Sequence, residues 1–296
     1  MDTASHRTRG YGLVLLAAGL WATLGIIFKQ LLNTYALPQI LISYLRAALG
    51  GGAILAGLAL WRREELHITW RDMPFLVGFG LLGVAAFFAV YVMAVDLAGV
   101  TVAVILLYTA PAWVAVLSAC FLGERIDALK IACVALSIAG CALIARVYHI
   151  PALSLNSAGL LAGIGSGLTY ALFSVFIKVG VRQHSTWTVL GYGYAIGALF
   201  LLPFQSMHSL SSLAQPGAWL WLALLIVGPT LGAGASFAAG VRHVPVSNAS
   251  VIATLEPLIA ALLAYTFLGE RLEVPQLVGG GLVLAAVILL ARRAGD

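Results

Sequence analysis

The chain has 296 residues, of which 62% are hydrophobic and 9% charged, and its formal net charge is +5. Soluble domains carry about 25% charged residues, so this composition excludes a water-soluble fold and makes lipid part of the solvent. The basic excess sits in the breaks between apolar runs and forms no basic soluble surface, which excludes a nucleic-acid partner.

A spanning helix needs about 20 apolar residues. Ten runs meet that need in chain order: 10–30, 38–61, 74–95, 98–122, 127–146, 157–178, 187–204, 217–240, 245–268 and 274–291. They are continuous, whereas a transmembrane barrel shows alternating segments of about ten residues. The first run follows Arg7 and Arg9 and imitates a signal peptide. It continues through Ile26, Ile27 and Phe28 without an A-x-A-type cleavage site, so it reads as a retained helix. Pro38, Pro74, Pro151, Pro216 and Pro275 stand at or just before run starts, where a missing N–H costs nothing. Trp61, Trp70, Trp187, Trp219 and Trp221 fall near run ends and read as interface anchors. Cys120, Cys133 and Cys141 lie in apolar runs and read as small buried hydrophobes, not as a disulfide or metal framework.

Threading ten spans puts Lys29, Arg146 and Arg271 on one side, Arg46 inside a span, and every other Lys and Arg on the opposite side. Positive loops stay cytoplasmic. Both termini are therefore expected in the cytoplasm, with the chain in a bacterial inner membrane.

The chain also repeats itself. Phe121-Leu122-Gly123-Glu124-Arg125 recurs as Phe267-Leu268-Gly269-Glu270-Arg271, and at the same offset Pro111 meets Pro257, Val100 meets Val246 and Ala103 meets Ala249. A weaker offset pairs Gly10 with Gly159, Trp21-Ala22 with Tyr170-Ala171, and Lys29 with Lys178. Each copy holds five runs. An odd number forces the second copy to enter the membrane upside down, an arrangement that recurs in carriers. The expected fold class is therefore an all-α polytopic membrane protein of ten transmembrane helices in two inverted five-helix repeats. Residues 1–147 form the first repeat, 148–156 an extracytoplasmic linker and 157–296 the second repeat.

Ten runs in two copies, each with a mid-run Pro followed by Leu-Gly-Glu-Arg, resemble the EamA branch of the drug/metabolite transporter superfamily. Within it the chain looks most like YddG-type amino-acid exporters. The resemblance covers about 10–292 and implies a secondary carrier that exports amino acids or related metabolites, with a central cavity between the halves.

The residues point to where a solute would sit. Pro111 and Pro257 each remove a backbone hydrogen bond and free the carbonyl four residues earlier, on Leu107 and Ala253. In lipid such a carbonyl needs a neighbouring helix or a wet cavity. Ser247, Ser250, Thr254 and Pro257 share one helical stripe, matched in the first copy by Thr101, Val104, Tyr108 and Pro111. Such hydroxyls either face the site or bond back to their own helix. Trp21 pairs with Tyr170 across the repeat, and Tyr91 with Phe237, so these rings either line a cavity or pack as core. As a lining they would suit an apolar side chain and hold an ammonium by cation–π attraction. Glu256 and Arg46 fall inside spans, where a charge is expensive and a functional candidate by default. Glu256 is expected to bind an ammonium, carry a proton or cap a freed carbonyl. Arg46 is expected to attract a carboxylate, form a structural ion pair or snorkel. Gly159, Gly163 and Gly167, with Gly193 and Gly197, mark close helix approaches. Glu124-Arg125 and Glu270-Arg271 read as turn and gate architecture at the membrane edges.

An intramembrane enzyme is the rival class. The six histidines, His208 among them, all lie in loops or at run ends, so Gly165-Ser166-Gly167 lacks a base. No metal cluster and no phosphate-binding glycine loop appears in the sequence, so neither a cofactor nor ATP is expected. A channel would show charge rings or a filter motif. The expectation is an exporter of neutral amino acids, large hydrophobic or aromatic ones included, working by alternating access. Its cavity is lined by the first, third, fourth, sixth, eighth and ninth runs. The alternatives are export of another small metabolite or drug, or a passive channel. The oligomeric state stays open, a monomer included.

Overall fold

The computed structural model describes residues 3–149, 156–206, 213–269 and 271–293; Pro151, His208, Glu270 and residues 150–155 of the linker lie outside the described residues. Among the described residues every regular element is helical. Nine helices among the described residues are long and apolar enough to cross a membrane. They are α1 (His6–Asn33), α2 (Gln39–Trp61), α3 (Met73–Ala98), α4 (Val100–Leu122), α6 (Ser157–Gln183), α7 (Thr186–Phe204), α8 (Pro216–His243), α9 (Val246–Phe267) and α10 (Val274–Arg292). Between α4 and α6 lies α5 (Ala128–Ile144), an apolar helix of 17 residues. At 1.5 Å per residue it spans about 26 Å, slightly less than the hydrocarbon core. The chain is a multi-pass membrane protein.

The helix ends follow from local chemistry. Asp127, Asn156 and Ser185 cap α5, α6 and α7, each side chain accepting a backbone N–H of the first turn. Gly123 and Gly269 close α4 and α9 in the left-handed region, both at φ 67°. Glycine adopts that conformation without a Cβ penalty, which is why the repeated five-residue segment keeps a glycine at its centre. Trp61 and Trp70 are 81% and 88% exposed, as interface anchors should be.

Three spans are broken at threonines. α1 breaks at Thr23, α4 at Tyr108 and Thr109, and α9 at Thr254. Each threonine hydroxyl donates to a carbonyl three residues back: Thr23 to Leu20 (2.7 Å), Thr109 to Leu106 (2.6 Å) and Thr254 to Val251 (2.6 Å). The side chain thus occupies an acceptor in a stretch where the backbone ladder fails. Pro111 and Pro257 open the helical segments that follow the α4 and α9 breaks, where proline is tolerated. Two further spans carry a π-helical stretch, Phe79–Ala85 in α3 and Ile226–Gly232 in α8.

Repeat-equivalent helices run in opposite directions where they meet. α5 and α10 are antiparallel: Gln276 donates to the Ile144 carbonyl at one end, while Cys133 shares a cluster with Ala286 and Leu290 at the other. A methyl at Gly140 or Gly279 would fall 2.6 Å from the carbonyl oxygen of the other, so only glycine lets these backbones approach. The end of α4 meets the start of α9 through Glu124 and Val246.

The bundle has two unlike ends. One buried cluster runs from Val244, Val246 and Val14 at the end that carries both described termini through Trp21 and Phe237 and on to Ile144 and Leu201 towards the other end. Towards that other end two smaller clusters lie beside it. Ile27, Leu31, Leu41 and Leu222 join α1, α2 and α8, while Ala94, Ala103 and Ala162 separately join α3, α4 and α6.

Candidate functional site

The breaks in α4 and α9 bring Tyr108 and Glu256 close enough to interact. Tyr108 caps the first segment of α4, and Glu256 stands in the first turn after the α9 break. The Tyr108 hydroxyl lies within electrostatic reach of the Glu256 carboxyl. Arg46, Tyr91 and Tyr170 lie within electrostatic reach of that carboxyl. All five residues are of intermediate exposure at mid-bundle. They face one another from α2, α3, α4, α6 and α9, so what each leaves uncovered faces an interior space and not lipid.

The aromatic candidates form a continuous wall. Phe237 lies 5.4 Å from Trp21, and Trp21 meets Tyr170 edge-on at 6.3 Å between ring centroids. Tyr170 lies 5.3 Å from Phe87, which lies 6.4 Å from Tyr91. Trp21 and Phe237 are buried and act as its inner layer, while Tyr170, Tyr91 and Phe87 remain half-buried. Phe87 is absent from the sequence-based set. Its position four residues before Tyr91, on the same helical face, was the available signal.

The hydroxyl stripe differs from the expectation that it faces the site. Ser250 and Thr254 are only 3% and 2% exposed, and their hydroxyls donate to the carbonyls of Ser247 (2.8 Å) and Val251 (2.6 Å). They serve their own helix. Pro111 and Pro257 are buried beside the breaks and shape them. Thus Trp21, Tyr91, Tyr108, Tyr170, Phe237 and Glu256 come together, whereas Ser250 and Thr254 turn away.

The hydrogen bonds of Arg46 go to neutral partners on α8. Its Nε donates to the Thr230 hydroxyl at 2.9 Å and its Nη2 to the Pro229 carbonyl at 3.1 Å, with the Phe88 ring 5.3 Å from the guanidinium. Thr230 in turn donates to the Leu225 carbonyl at 2.8 Å, the acceptor that Pro229 deprives of its usual N–H. Arg46 therefore fastens α2 to the π-helical stretch of α8. This brings α2, absent from the expected cavity lining, to the site. The signal missed was Pro229 inside an apolar run.

The close approaches expected at glycines are present. A methyl at Gly167 would fall 2.6 Å from the Thr109 hydroxyl and 2.8 Å from the Leu106 carbonyl, so this glycine seats α6 against the α4 break. Among the described residues no group of three or more His, Cys, Asp or Glu stands together as a metal site.

An acid ringed by aromatics and reached from five helices can take up a cationic group and lay an apolar side chain against the rings. Known proteins with this chain's pattern are transporters. Residues 8–146 and 157–292 each match the EamA-like transporter family. An uncharacterized transporter of Archaeoglobus fulgidus is 35% identical over 72% of this chain and 76% of its own. A probable terminal-alkyne amino-acid exporter of Streptantibioticus cattleyicolor is 27% identical over 95% of this chain and 92% of its own. A solved crystal structure at 22% identity superposes with a TM-score of 0.79, covering 98% of this chain and 99% of that one, and shares the fold. With both halves matched, the chain belongs to the EamA-like transporter family.

Proposed function

We propose that the protein is a secondary carrier that exports amino acids across the bacterial inner membrane, with both termini in the cytoplasm. Neutral amino acids, large hydrophobic and aromatic ones included, are its substrates. The observation that carries this reading is the Glu256 carboxyl, set beside Tyr108 at the helix breaks of α4 and α9 and bordered by the Tyr170–Phe87–Tyr91 wall. A substrate ammonium takes its place at Glu256, and the side chain lies along the rings. An ammonium adds the attraction of opposite charge to the hydrogen bond it makes with a carboxylate, which the neutral Tyr108 phenol cannot. The antiparallel repeat-equivalent pairs support two inverted repeats, 1–147 and 157–296, exchanging conformations to expose one pocket to each face in turn. The Streptantibioticus cattleyicolor relative, a probable terminal-alkyne amino-acid exporter, supports this substrate class.

Purified protein in liposomes, preloaded with unlabelled amino acid and given a labelled one outside, provides the test. Saturable counterflow that large neutral amino acids compete for is the expected result. Unsaturable flux would mark a channel, and competition only by solutes without an ammonium would remove the amino-acid reading.

A further inference from the structure

The turn between α8 and α9, at the end that carries the termini, is held by charge on both flanks. On one flank α8 ends, and its last carbonyls form the negative pole of a helix dipole. Lys178 of α6 donates its Nζ there, to the Val241 carbonyl and, at 2.9 Å, to the Val244 carbonyl. On the other flank α9 begins, with its unpaired N–H groups forming a positive pole. Glu124, at the end of α4, accepts the Val246 N–H at 2.8 Å, the Ser247 N–H at 3.3 Å and the Ser247 hydroxyl. Lys130 of α5 closes the group, donating at 2.9 Å both to the Ser247 hydroxyl and to the Arg125 carbonyl, with the Glu124 carboxylate 4.0 Å away.

Lys178 and Glu124 each meet the helix pole of opposite sign, and the contacts of Glu124 and Lys130 to the start of α9 cross between the two halves of the chain. A cleft of about 220 Å³ lined by Lys178, Arg182, Val241 and Arg242 opens beside the turn, so water reaches the Lys178 side of it. Among the described residues the opposite end differs at the equivalent positions. Val100 and Thr101, the repeat equivalents of Val246 and Ser247, are exposed, as is Lys29, the equivalent of Lys178.

We infer that Glu124 and Lys178 are gating residues: their grip on the α8–α9 turn keeps the termini end shut, and its release is the step that opens that end to the site. The mechanical path is short. The gripped segment of α9, Val246–Ala253, is joined to the segment bearing Glu256 only through the break at Thr254. Freeing its start lets that segment swing about the break without unwinding Glu256's own helix. The inference holds whatever solute the site takes.

Full-length protein bearing Ser250→Cys, a buried position on the gripped segment, is reconstituted and labelled with a membrane-impermeant thiol reagent from each face separately. Protein without the added cysteine supplies the background. Glu124→Gln and Lys178→Met should each raise labelling from the termini face by about 10-fold, the factor that corresponds to about 1.4 kcal/mol. Labelling from the other face should fall or stay level. Lys178→Arg, which keeps a donor for the carbonyls, should restore the parent pattern. Ser247→Ala, a milder change, should give a smaller rise on the same face. Variants that fold, by gel filtration, yet label like the parent would overturn the inference, as would an equal rise from both faces.

Discussion

Arg46 brings a full charge to mid-bundle and finds neutral partners there, the Pro229 carbonyl and the Thr230 hydroxyl. Hydrogen bonds to charged groups are worth about 1.5–3 kcal/mol. Arg46→Met should therefore lower the melting temperature of the detergent-solubilised protein. Arg46→Lys should recover only part of it, because one ammonium cannot reproduce a two-pronged guanidinium; equal melting of all three would deny Arg46 its fastening role. Glu256 answers to transport instead of stability. Glu256→Gln keeps the size and an acceptor for Tyr108 but loses the charge, and kcat/KM for a neutral amino acid should drop about 10-fold or more, as loss of a charge-assisted bond implies. Undiminished uptake would take Glu256 out of the site. Tyr108, Glu256 and the aromatic pairs were legible in the sequence, because repeat offsets and helical spacing place them at one depth. The partners of Arg46 were not, because a π-helical stretch leaves no periodic mark and shifts every later residue off the expected face. Ser250 and Thr254 were misplaced for a related reason. A stripe shows which residues share a face, not whether their hydroxyls are already used.

The paired prolines announce the breaks in α4 and α9, while the break in α1 rests on Thr23 alone, a residue too common in apolar helices to signal one. The α5–α10 joint offers a cleaner test of packing. Gly279→Leu drives a side chain into the Gly140 carbonyl, whereas Gly281 faces open space. Overpacking of this kind costs about 1–3 kcal/mol, so Gly279→Leu should lower the melting temperature and Gly281→Leu should leave it within error. The reverse order would place the joint on another face of α10. At its far end the joint is tied by Glu273, which meets Tyr148 at 2.9 Å, His149 at 3.1 Å and Arg146 at 3.5 Å. The Tyr148 hydroxyl first, then His149, holds this carboxyl below its ordinary value. Its stabilising effect is thus complete above the unfolded value of about 4.3 and disappears as pH falls through the lowered folded value. Glu273→Gln should melt below the parent protein at pH 7, and the difference should shrink in acid. A gap that stays constant with pH would mean that the charge is irrelevant.

Ten apolar runs and an asymmetric charge distribution were enough to foresee an all-helical membrane bundle. Length alone was less reliable, since α5 is shorter than a standard span and is kept in place by α10. What the runs could not disclose is how the α8–α9 turn is held. That depends on long-range pairs such as Lys178 with Val244, whose partners lie far apart in the chain. The inverted arrangement makes a topological prediction of its own. Cysteines placed at Arg125 and at Arg271 should react with an impermeant reagent from opposite faces of the membrane. Reaction from one face only would dismantle the two-repeat scheme and the carrier reading with it.

The π-helical stretches in α3 and α8 hold one more consequence. Each contains a residue more than an α-helical ladder of the same length needs, a surplus stored as a local widening. Tightening one stretch into regular α-helix would pass that surplus along and turn everything beyond it by about 100°, one residue's share of a 3.6-residue turn. Phe237 rides beyond the α8 stretch and Tyr91 beyond the α3 stretch. A small slip in hydrogen-bond register thus works as a screw that rotates the wall rings, and a spin label beyond Gly232 would record the turn.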